Sequence, residues 1–216
     1  MPTRLRVNVR TCRREFASAY TSDVRRGVAA AATLLYLSAL GTGAQEIDYA
    51  KVWTAASTFD VFLASVRARE EQWKSRFANA AIEPDALTRT RALKEKRRIL
   101  VITEDRCSDS AWTVPFIAKL AAAVPERLEL RLLSREEWSN RRVATPTVIV
   151  LDEHNRPLGR WGERPSELQA WVTTNRASMS SDELHRKMDE WYAQDAGRST
   201  VQEMVELLEK QTAERK

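Results

Sequence analysis

The spacing of apolar residues changes twice along the chain, from helical to strand-like and back. Between residues 46 and 97 it is helical: Phe59, Phe62, Leu63 and Val66 recur at i, i+3, i+4 and i+7, and Trp73 and Phe77 form an i, i+4 pair. Glu83-Pro84 interrupts this stretch, because a proline cannot donate to the preceding turn, so at least two helices are predicted. The period then shortens. Ile99-Leu100-Val101-Ile102 is an all-apolar run of buried-strand type, Leu128, Leu130 and Leu132 alternate with Glu129 and Arg131, and Thr147 to Leu151 is β-branched and apolar. Trp112 to Val124 is long enough for a helix between the first two strands. After the third, the turn His154-Asn155-Arg156 returns the chain into Pro157-Leu158-Gly159-Arg160-Trp161. The order β, α, β, β-hairpin predicts an α/β fold. Beyond Pro165 the helical period resumes with Leu168, Trp171 and Val172, then Leu184, Met188 and Trp191, then Val201, Met204, Val205 and Leu208. Ser180 with Glu183, and Ser199 with Gln202, have capping-box spacing.

Charge changes the picture at one end. The 216 residues carry 35 bases and 30 acids, a formal +5, but residues 1 to 44 hold seven arginines against Glu15 and Asp23. The remainder is balanced, with 28 of each sign, which excludes a strongly basic nucleic-acid binder. Within the basic end, Arg25-Arg26 precedes the apolar run Val28 to Leu40, and Thr42-Gly43-Ala44 supplies small residues before Gln45. This pattern predicts residues 1–44 to be a targeting segment cleaved before Gln45, with export to a bacterial periplasm and no stable membrane span afterwards. A cytoplasmic protein with a misassigned N-terminus and a mitochondrial transit peptide are the alternatives. Residues 45–97 are then a helical N-terminal extension, 98–178 the α/β domain and 179–216 a C-terminal helical extension.

Candidate chemistry concentrates after the first strand. Thr103-Glu104-Asp105-Arg106 leads into Cys107-Ser108-Asp109-Ser110 at the start of the next helix. There the unpaired amides of the first turn carry partial positive charge, which favours a thiolate nucleophile. Farther along, Thr145-Pro146-Thr147 opens a strand, where proline is tolerated and a cis bond can bring the backbone towards that cysteine.

These segments resemble the thioredoxin superfamily. The likeness is closest to a bacterial thioredoxin-like family in which an apolar strand precedes Glu-x-Trp-Cys-Gly-Asp and then Cys or Ala. The residues that carry it are Ile99 to Ser110 with Val114-Pro115, the strand Thr145 to Asp152, the segment Leu158 to Pro165, and Gly197-Arg198-Ser199-Thr200. The resemblance spans about residues 48 to 210 and implies a thioredoxin-like sheet, a cis bond before Pro146, and pairing of the backbone at Thr145 with an extended substrate. Three departures matter. Arg106 replaces the tryptophan, Ser108 the glycine, and Ser110 the resolving cysteine, so the dithiol cycle cannot be completed. Of the two cysteines, Cys12 lies in the leader. A Cys-x-x-Ser site resembles the monothiol glutaredoxins, which need an external thiol such as glutathione.

Two readings of this site stand side by side. In the first, Cys107 is a monothiol exchange nucleophile, with Ser110 one turn further along the catalytic helix, and Arg106, Thr145 and Pro146 binding a polypeptide or glutathione disulfide. In the second, Cys107 is a small apolar residue packed at the core edge, and the domain is a non-catalytic protein-binding module. Asp109 disfavours a thiolate and Arg106 can offset it, so side-chain directions decide the balance. Trp112 and Trp161 fit either a groove or plain core. His154 and His185 lack metal-ligand spacing to Cys107, and no metal is expected. Neither is a cofactor, since no glycine-rich phosphate loop is present. The basic run Arg89, Arg91, Lys94, Lys96, Arg97 and Arg98 reads as an anion site or a solvated face.

Overall fold

The structure is a computed structural model that describes residues 47–138 and 142–210; residues 1–44, for which a targeting role is expected, and with them Cys12, lie outside the described residues. Four short helices, α1 (Tyr49–Ala55), α2 (Phe59–Ser65), α3 (Glu70–Asn79) and α4 (Pro84–Arg91), precede strand β1 (Arg97–Thr103). Then come α5 (Ser108–Ala123), β2 (Leu128–Ser134), β3 (Thr147–Leu151), β4 (Pro157–Gly162), α6 (Ser166–Asn175), α7 (Ser181–Asp195) and α8 (Arg198–Leu208). The sheet order is β2-β1-β3-β4. Strand β1 runs parallel to β2 and antiparallel to β3, and β4 is antiparallel to β3. Helix α5 makes the crossover that a parallel pair requires.

Burial explains the apolar run of β1. Ile99 and Val101 face a core shared with α2, α3, α4, α5 and α8, whereas Leu100 and Ile102 face a second core with Trp53, Trp138 and Val143. A strand covered on both faces has no polar side to alternate with. Each of these residues, at 0% exposure, stabilises the fold by roughly 1.5–3 kcal/mol. The edge strand β4 is only half covered.

The N-terminal region differs from the helical run that its spacing predicts. Between α1 and α2, Ser57 leaves helical geometry to bridge Leu132 on the outer edge of β2, with Ser57 N–H donating to Leu132 O and Leu132 N–H to Ser57 O, both at 2.8 Å. This caps an otherwise open sheet edge. Arg69, at φ 57°, turns the chain into α3 without a side-chain cap, and Pro84 takes the first position of α4, where its missing N–H costs nothing.

The two capping boxes also part company. Ser180 caps α7 by accepting from Glu183 N–H. Ser199 instead lies inside α8 and donates its N–H and hydroxyl to Asp195. The cap position falls to Gly197, at φ 80°, where the ring of Phe116 lies 2.2 Å from the place of a Cβ. Only glycine meets both conditions without displacement.

Candidate functional site

Cys107 is the N-cap residue of α5, in extended geometry (φ −71°, ψ 122°) and half-buried. Its thiol donates to the carbonyl oxygen of Thr145 at 3.1 Å, and the Thr145–Pro146 peptide bond is cis. The structure thus brings Cys107, Thr145 and Pro146 together across 38 residues of sequence. The loop carrying Pro146 is held by Glu163, which donates its N–H to the Pro146 carbonyl at 2.7 Å. Arg135 donates to the Thr145 hydroxyl at 2.9 Å and pairs with Glu104 at 3.2 Å.

The other candidates around the thiol are placed differently. Arg106 projects outward, its side chain 78% exposed, and meets Glu104 at 3.6 Å rather than Asp109. Ser110 is fully buried, and its hydroxyl finds no hydrogen-bond partner among the described residues. Trp112 is half-buried; it stacks on Tyr192 with ring centroids 5.3 Å apart and donates to Asp189 Oδ1 at 2.6 Å. Trp161 donates to Glu203 in α8, away from the thiol. His154 and His185 are exposed, and no group of three or more potential metal ligands occurs among the described residues.

Three members of the basic run are held in separate ion pairs. Arg89 binds Glu209 through two hydrogen bonds, buried Arg97 pairs with Glu95, and Arg98 pairs with Glu129. A cavity of about 560 Å³ opens beside the first two pairs, at the end of the sheet opposite Cys107.

Asp105 and Asp109, two residues either side of the cysteine, are both tied down. Asp105 Oδ2 accepts the N–H groups of Ala68 and Arg67 at 3.0 and 2.9 Å. These backbone hydrogen bonds, Ala68 foremost, hold its carboxyl below the usual range. The Asp105 carbonyl takes the indole N–H of Trp73, and the Arg106 carbonyl the Nε–H of Arg69, so α3 clamps the approach to the helix. Asp109 is 8% exposed; its Oδ2 accepts from Arg164 at 2.6 Å and its Oδ1 from the Tyr192 hydroxyl at 2.8 Å. Burial, the largest single influence, works to lower the Arg164 guanidinium, but its hydrogen bond to Asp109 together with the charges of Asp109 and Glu163 outweighs it and the net shift is upward.

Sequence reasoning finds the cysteine, the cis-proline position and the helix start. It misses Arg164 and Tyr192 as partners of Asp109, and Arg76 as a brace. Pro115 inside α5 has no N–H to offer the carbonyl of Ala111, and Arg76 fills that vacancy by donating to Ala111 O at 3.1 Å. The same guanidinium lies 3.3 Å from the centroid of the Trp112 ring, and burial pushes it down to about 10. The signal that was available is Pro115 itself, since a mid-helix proline always leaves one carbonyl to be satisfied.

Comparison with known proteins bears on the fold and the family. A Pseudomonas aeruginosa protein of unknown function, solved by crystallography, superimposes with a TM-score of 0.60 at 22% identity, covering 76% of this chain and 98% of its own. An HIV epitope scaffold superimposes with a TM-score of 0.57 at 21% identity, covering 74% of this chain and 97% of its own. Both are likenesses of fold. No curated protein matches the chain. A family model described as thioredoxin matches residues 56–180, more than half of the sequence, and the chain belongs to that family.

Proposed function

We propose that the protein is a monothiol thiol–disulfide exchange protein in which Cys107 is the nucleophile. The observation that carries this reading is the placement of a half-buried thiol at the N-terminus of α5, within 3.1 Å of the carbonyl preceding a cis-proline. The Cys107 thiolate attacks one sulfur of a disulfide R–S–S–R′. A Cys107–S–S–R bond forms, the R–S–S–R′ bond breaks, and R′–S⁻ leaves with the electron pair. Ser110 has no thiol with which to attack the mixed disulfide, so an external thiol of the glutathione class completes the cycle. Its thiolate bonds to the sulfur of R and expels the Cys107 thiolate. Thr145 and Pro146 form the backbone platform for the incoming chain, and exposed Arg106 lies at its edge.

The rival reading, a non-catalytic binding module on the same groove, draws on the same hydrogen bond. Only the protonated thiol donates to Thr145, so the contact as it stands holds the unreactive form. One experiment separates the two. The full chain, carrying Cys12→Ser to leave one thiol, is incubated folded with glutathione disulfide and weighed intact. The exchange reading expects a single adduct that dithiothreitol removes and that Cys107→Ser abolishes; modification only after unfolding overturns it and leaves the binding module.

A further inference from the structure

A helix start needs an acidic residue only near its amides, and a solvated aspartate supplies that without losing its water. Asp109, at the second position of α5, is buried instead, and removing a carboxylate from water costs several kcal/mol. Two distant segments converge to offset that cost. Arg164 comes from the loop after β4, 55 residues along, and Tyr192 from α7, 83 residues along. Helix α7 begins at Ser181, just past the matched family segment, yet it reaches the cysteine turn twice. Tyr192 binds Asp109, and Asp189 takes the Trp112 indole at 2.6 Å and the Ser108 hydroxyl at 3.4 Å.

We propose that Asp109, Arg164 and Tyr192 are positioning residues for Cys107: they lock the first turn of α5 beneath the thiol and cancel the charge beside it, so that the helix amides govern its reactivity. The inference rests on the exchange reading above. Asp109 alone next to a thiol opposes thiolate formation; paired with Arg164, it presents little net charge at short range.

Of the other charged groups around the turn, Asp105 is satisfied by the N–H groups of residues 67 and 68, and the rest face cations, anions or polar donors. Glu104 faces Arg135 and Arg106, Glu163 faces Arg164, and Asp189 meets the indole of Trp112, over which Arg76 lies. Arg69 is engaged with Gln72 and the Arg106 carbonyl. Burial first, and the Asp109 charge second, push the Tyr192 phenol well above the usual range, and Cys107 itself contributes in the same direction. The hydroxyl therefore stays a donor to Asp109 wherever the thiol titrates.

The test is the rate of iodoacetamide alkylation of Cys107 against pH in the folded Cys12→Ser chain. Asp109→Asn removes the nearer of the two carboxylates on Arg164 and makes the charge beside the thiol more positive, so labelling below the half-maximal pH becomes about tenfold faster and the profile moves to lower pH. Arg164→Gln leaves Asp109 unbalanced, so labelling becomes about tenfold slower and the profile moves to higher pH. A merely structural role loosens the turn in both variants and moves both rates the same way, so same-sign or absent shifts overturn the proposal. Tyr192→Phe keeps the ring on Trp112 and removes one donor; it is the arm to read if either charge variant fails to fold. There a roughly two- to threefold slowing is expected, because Arg164 still pairs with Asp109 and only part of its charge is uncovered, and an unchanged rate overturns the proposal. An unlabelled folded Cys12→Ser chain overturns the exchange reading and this inference together, whereas a labelled Cys12→Ser chain with same-sign shifts in the variants overturns this inference alone.

Discussion

Cys107 stands between two aspartates that the fold treats in opposite ways. Asp105, on the strand side, is satisfied by main-chain N–H groups of residues 67 and 68. Asp109, on the helix side, is satisfied by the side chains of Arg164 and Tyr192. The difference teaches where each half of the site gets its precision. The strand side depends on the path of the α2–α3 connection, and many side chains at 67 and 68 would serve it. The helix side depends on the identity of two residues: its charge balance fails without Arg164, and its second donor is lost without Tyr192.

The largest way to break the contrast is to remove Asp109. Asp109→Ala leaves the Arg164 guanidinium buried without its main partner, and chemical denaturation is expected to show a loss of about 3–5 kcal/mol. Next is Gly197→Ala, which attacks the helix side indirectly through the junction that sets α7 against α5. A Cβ there overlaps the Phe116 ring while the backbone remains at φ 80°, so a loss of about 2–4 kcal/mol is expected in the same measurement. If Gly197→Ala is instead neutral, the α7 brace is more compliant than the packing implies.

The smallest effect falls on the strand side. Asp105→Ala leaves two main-chain N–H groups without their acceptor and is expected to cost about 1–3 kcal/mol near neutral pH. The folded-state carboxyl is held below its ordinary value, so this contribution is present above the unfolded value of about 4 and disappears as pH falls through the folded one. The stability difference between wild type and Asp105→Ala therefore narrows on acidification below about pH 4. A gap that stays constant down to acid pH would show that packing at position 105, rather than its charge, holds the loop.

How far the sequence reaches can be judged residue by residue. The β1, β2 and β3 strands are legible because burial on one or two faces writes a period directly into Ile99–Ile102, Leu128–Leu132 and Thr147–Leu151. Cys107 at a helix start follows from local order alone, and the position of Pro146 is supplied by the thioredoxin resemblance. Ser57 reads as part of a helical stretch because its bridge to Leu132 leaves no local trace. Ser199 reads as a cap because spacing cannot show that Asp195, four residues earlier, captures its N–H and hydroxyl first.

The sequence by itself determined the element order, the two-sided central strand and the single cysteine at the mouth of α5, since each follows from periodicity or from neighbours within a turn. Tertiary structure alone decided that Arg106 turns to Glu104, that Ser110 is sealed in the core, and that Asp109 is matched by Arg164 and Tyr192. Those partners lie up to 83 residues apart, and a hydrogen bond of 2.6 to 2.8 Å between them exists only after every intervening turn has set the direction of the chain.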